Sequence, residues 1–124
     1  MRFFSRHRRV TLRITAPDAP EPQPFEALLL LGRSGFSPER VHGRTPFARE
    51  LPDADATIVV SPVAGEPPLH VEYEVVRRDR IALRAWSSWP IAVIQRRRGR
   101  LFSGGVDAPR GDGDAGTPAV LRAI

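Results

Sequence analysis

Three histidines (His7, His42, His70) and a short acidic run (Glu50, Asp53, Asp55) are the residues of this 124-residue chain best suited to proton transfer or metal ligation. Neither group has the spacing that such chemistry needs. The histidines are scattered, with His42 in a glycine-flanked loop and His70 on a strand, so none is placed to share a metal with another. The acidic run has no identifiable partner acid and reads as a solvated loop. "GRSGF" (32–36) lacks the glycine two residues after its serine that a nucleophile elbow requires, because Phe36 stands there. "DGDAG" (112–116) begins like a calcium loop, but Thr117 and Ala123 occupy the positions of the required glycine and closing glutamate. "RGD" at 110–112 is read as coincidence in a chain without a secretion signal. Phosphate-loop and dinucleotide fingerprints are absent. These residues give an expectation of no catalytic site, no metal and no cofactor, hence a protein that is not an enzyme.

The arginines carry more information. All 19 basic residues are arginine, the net charge is +5, and there is no cysteine, which excludes thiolate metal sites, disulfides and a cysteine nucleophile. The guanidinium group stays charged and grips carboxylate or phosphate with two parallel hydrogen bonds, so the balance favours anionic partners. One cluster is N-terminal (Arg2, Arg6, Arg8, Arg9, with Phe3 and Phe4 among them). A second is a hairpin tip (Arg96, Arg97, Arg98, Arg100), and Arg77, Arg78 and Arg80 mark a third. Both tryptophans, Trp86 and Trp89, stand just before the second cluster. Tryptophan with arginine is the composition of protein-interface anchors and of membrane–water belts.

The elements that must position these groups are strands. Val10, Leu12 and Ile14 alternate with Thr11, Arg13 and Thr15, the period of a half-buried strand. "FEALLLLG" (25–32) and "ATIVVSPV" (56–63) are apolar runs of strand length, and "IAVIQRR" (91–97) turns at Arg98-Gly99 into "RLFS" (100–103). "LHVEYEVV" and "RIALRAW" form a hairpin. A three-residue loop of Arg77, Arg78 and Asp79 would set Val75 against Ile81, Tyr73 against Leu83 and Val71 against Ala85. The other face then pairs Glu72 with Arg84 and His70 with Trp86. The stretch 32–56 is irregular, and Ser37-Pro38-Glu39 and Thr45-Pro46 look like starts of one or two helical turns.

With 13 prolines and 10 glycines in so short a chain, long helices are disfavoured. The expectation is an all-β domain, a small antiparallel β-sandwich or open barrel of six to seven short strands, with little helix and extended N- and C-terminal arms. Its parts are a basic arm (1–8), a single β domain (9–103) with a proline-rich connector (16–24), and a Gly/Asp/Pro-rich tail (104–124). No signal peptide or membrane-spanning helix is legible, so the expected setting is cytoplasmic, soluble or peripheral to a membrane. The leading functional expectation is an accessory or structural subunit. It would dock on a larger protein complex or anionic membrane surface through Trp86, Trp89, Arg96, Arg97, Arg98, Arg100 and the N-terminal residues Arg2, Phe3, Phe4, Arg6, Arg8 and Arg9. Nucleic-acid binding and small-ligand binding are the alternatives.

Overall fold

The computed structural model describes residues 8–32, 38–63, 68–106 and 120–123. These form ten strands and no helix. The strands are β1 (Arg8–Thr15), β2 (Pro24–Leu31), β3 (Glu39–Arg44), β4 (Phe47–Leu51), β5 (Ala56–Pro62), β6 (His70–Arg77), β7 (Arg80–Ser87), β8 (Ile91–Arg97), β9 (Arg100–Val106) and β10 (Val120–Ala123). They build two antiparallel sheets, ordered β4-β1-β6-β7 and β10-β9-β8-β5-β2-β3, which are not closed into a barrel.

The alternating strands supply the core. Val10, Leu12 and Ile14 of β1 lie inside with Val71, Tyr73 and Val75 of β6, facing Phe25, Ala27 and Leu29 of β2 and Ile58 and Val60 of β5. Phe25 meets Phe47 edge-to-face at 5.1 Å, so the ring contact holds β4 against β2 across the layers. The uninterrupted apolar run in β2 has a structural reason. While Ala27 and Leu29 face the core, Leu28 sits on the outer face beside Val59 and then Val93.

Three of the ten strands come from stretches read as irregular. The 32–56 segment holds β3 and β4. Instead of beginning a helical turn, Thr45-Pro46 forms the corner where the chain leaves one sheet for the other, with a cis peptide bond. Thr45 is buried there and exchanges two hydrogen bonds of 2.9 Å with the backbone of Gln23. Propensity alone could not foresee this, because the corner is stabilised by a partner 22 residues away. Beyond the corner, Arg49 of β4 forks onto Glu39 of β3 at 2.7 and 3.0 Å. His42 lies on β3 rather than in a loop. The C-terminal region contributes β10, and β9 runs on to Val106. Ser37, "GRSG" at 32–35 beyond Gly32, the 110–112 tripeptide and the 112–116 acidic segment lie outside the described residues.

The β6–β7 hairpin departs from its expected register. Its loop has two residues, Arg78 and Asp79, both left-handed at φ 51° and 61°, which is the geometry of a type I′ turn. The shorter loop moves the pairing by one residue and a bulge between Val75 and Val76 by one more, so Tyr73 opposes Ala85, Glu74 opposes Arg84, and Glu72 opposes Trp86. The shift is two residues. A shift of two preserves which face each side chain occupies, so the hydrophobic pattern alone does not distinguish the two registers.

Candidate docking site at an arginine pole

The strand ends bring the arginine clusters to one end of the sandwich. Arg8 begins β1 directly opposite Arg77, and Arg77 lies directly opposite Arg80 across the β6–β7 turn. In the other sheet Arg97 is directly opposite Arg100 across the β8–β9 turn. The loop between β4 and β5 ties these two sheet ends together. Asp53 contacts Arg8 at 3.8 Å and Arg96 at 2.6 Å, and Asp55 accepts a hydrogen bond of 2.9 Å from the backbone N–H of Arg98. Arg9, Arg78 and Arg98 complete the pole, and all of these arginines except Arg96 are exposed.

Two features of this end work against the stability of the fold. Like charges directly opposite one another on a sheet repel. Type I′ turns also favour Asn, Asp or Gly, yet their first positions are Arg78 and Arg98, with left-handed φ of 51° and 49°. Gly99, at φ 78°, fits its position.

Arg96 is the exception to the expected exposed tip. The strand alternation turns its side chain inward, leaving it 5% exposed between Tyr73 and Asp53. It donates to the Tyr73 hydroxyl at 3.3 Å. Burial pushes that hydroxyl's pKa above its ordinary range. Arg96 is thus a structural cation and is not presented to a partner. The acidic run read as a solvated loop supplies its counter-charge, a pairing with no signal in the local sequence.

Trp86 is 57% exposed, on the outer face of β7. Its ring stacks at a tilt on His70, 5.5 Å between centroids. His70 in turn meets the Ser88 hydroxyl at 3.0 Å and lies 3.6 Å from Glu72. The expected Glu72–Arg84 pair forms at 2.9 Å, diagonally across the strands. The Arg84 hydrogen bond, with help from His70, holds the Glu72 carboxyl below its ordinary value. Trp89 has a different role. Half-buried, it lies over Gly105, where a methyl group would collide with the indole and with the Ile91 carbonyl. Ser87 sets this bend, donating its hydroxyl proton to the Gly104 carbonyl at 2.5 Å and accepting from the Trp89 N–H at 3.3 Å.

Tryptophan and arginine are therefore not one surface. Trp86 lies six residues from Arg80 along β7, about 20 Å at the usual strand rise. The structure brings together Arg8, Arg9, Arg97, Arg98 and Arg100, adds Arg77, Arg78 and Arg80, buries Arg96 beneath them, and sets Trp86 and Trp89 apart. Arg2, Phe3, Phe4 and Arg6 lie outside the described residues. Among the described residues no three His, Asp or Glu side chains are grouped to hold a metal ion, and no helix is long and apolar enough to cross a membrane. Compared with protein-family models, curated proteins and solved structures, the chain matches none.

Proposed function

We propose that this protein is a non-enzymatic accessory subunit that docks onto an anionic surface of a larger assembly through the arginine pole. What carries the reading is the set of directly opposed like charges, Arg8 with Arg77, Arg77 with Arg80 and Arg97 with Arg100. Folding alone disfavours such pairs, whereas an anionic partner set against them converts the repulsion into binding energy. Backbone strain stored at a surface of this kind is a mark of function rather than of stability. Trp86 is a separate feature of the opposite end.

Retention on an immobilised sulfated polysaccharide tests the reading. The doubly substituted Arg78→Asn/Arg98→Asn chain keeps both turns and loses two charges, so it elutes at clearly lower salt than the parent. Equal elution of the two chains would remove the pole as a docking surface.

Nucleic acid is the second reading, since its backbone offers the same charge. Base stacking needs an aromatic platform within the charged surface. Trp86, the exposed aromatic among the described residues, stands outside it.

A further inference from the structure

We infer that the anionic surface met by the arginine pole is a lipid bilayer rich in acidic headgroups; this rests on the docking reading above and names its partner. Three observations select it. The pole is made of two hairpin tips from stacked sheets, about 10 Å apart at the usual layer spacing, together with the start of β1. A planar array of headgroups meets all three at once. The second observation is Ile81, which follows Arg80 at the β6–β7 tip and is 55% exposed opposite half-buried Val76. An apolar side chain beside fixed cations suits the boundary between headgroups and acyl chains, whereas a phosphodiester backbone gives it nothing to contact. Finally, the exposed indole that would stack on bases is at the far end of β7.

An isolated polybasic patch binds acidic membranes with a free energy that grows with each cation it presents. Each arginine near the surface raises partition about fivefold. Removing Arg78 and Arg98 together therefore lowers it about 25-fold, while Asn in both turns protects the fold.

The experiment is flotation of the full chain with vesicles of phosphatidylcholine containing about one-third phosphatidylserine, beside vesicles of phosphatidylcholine alone. The inference expects binding to the acidic vesicles only, the stated loss in Arg78→Asn/Arg98→Asn, and a further loss in Ile81→Ser that leaves retention on the sulfated polysaccharide unchanged. No binding to acidic vesicles, or binding indifferent to Arg78 and Arg98, overturns it. Should the vesicles fail while the polysaccharide still separates parent from variant, the bilayer is wrong and the docking surface stands. Failure of both measurements removes both readings. Tighter binding to duplex DNA than to acidic vesicles overturns the bilayer in favour of nucleic acid. So does a blue shift of Trp86 emission on vesicle binding, measured in a Trp89→Phe chain, because the opposite end would then face the membrane.

Discussion

The buried guanidinium of Arg96 lies 2.6 Å from the carboxylate of Asp53, which stands at the rim on the β4–β5 loop with a quarter of its side chain in water. Asp53→Asn leaves that buried cation with the Tyr73 hydroxyl as its neighbour. The expected cost is about 1–3 kcal/mol, short of the penalty for a wholly buried pair because the site reaches water on the Asp53 side. Replacing Arg96 and Asp53 together by methionine and leucine costs far less, since no uncompensated charge remains. Urea denaturation of the single and double variants measures both.

At the exposed turns the expected change has the opposite sign. Arg98→Asn gives the β8–β9 turn the Asn-Gly pair it favours and keeps the backbone N–H that Asp55 accepts, so it stabilises the fold by about 1 kcal/mol. Arg80→Glu turns its opposition to Arg77 into attraction and gains up to about 1 kcal/mol. Loss of stability in both variants, read from thermal melts, would show that the tips are optimised for folding rather than for a partner.

The two tryptophans respond differently to truncation of their surroundings. Gly105→Ala drives a methyl group into Trp89 and the Ile91 carbonyl, and the resulting overpacking costs about 1–3 kcal/mol. Trp86→Ala changes stability by less than about 0.5 kcal/mol, because the side chain is mostly in water. Melting temperatures of the two variants separate the roles.

Acid weakens the outer face of the four-stranded sheet. Glu72 has its carboxyl held below the ordinary value of 4.5 by the Arg84 hydrogen bond, so its contribution is complete above that pH. The contribution is lost as pH falls from there through the folded-state value. Glu39, paired with Arg49, moves in the same direction. Arg84→Gln flattens the acid limb of a stability-against-pH curve, and an unchanged limb would remove Glu72 from the account.

What the sequence made legible follows from which forces are local. Period-2 alternation placed Val10, Leu12 and Ile14 on one buried face, and the Glu72–Arg84 pair was recoverable despite a register two residues off, because both registers share faces. The corner at Thr45-Pro46 was hidden, since Thr45 is satisfied by Gln23 in a different segment. The inward turn of Arg96 was hidden for the same reason. From sequence Arg96 belonged to the exposed tip, because an arginine turned inward there is acceptable only with Asp53 beside it, and that neighbour is 43 residues away. The pole itself was half visible as three clusters. Only the pairing of β1 with β6, and the Asp53 link between sheets, put them at one end.

Pairing of β1 with β6 also sets a schedule for the chain during its synthesis. The strand that completes β1's inner neighbour ends at Arg77, 62 residues after Thr15. At about 5–20 residues per second, β1 waits several seconds on the ribosome before the centre of its sheet can assemble. Throughout that interval Val10, Leu12 and Ile14 have no β6 to cover them, and Arg8, Arg9 and Arg13 are the charges beside them in the same segment. The arginines of β1 thus stand beside an open apolar face before the centre of its sheet exists.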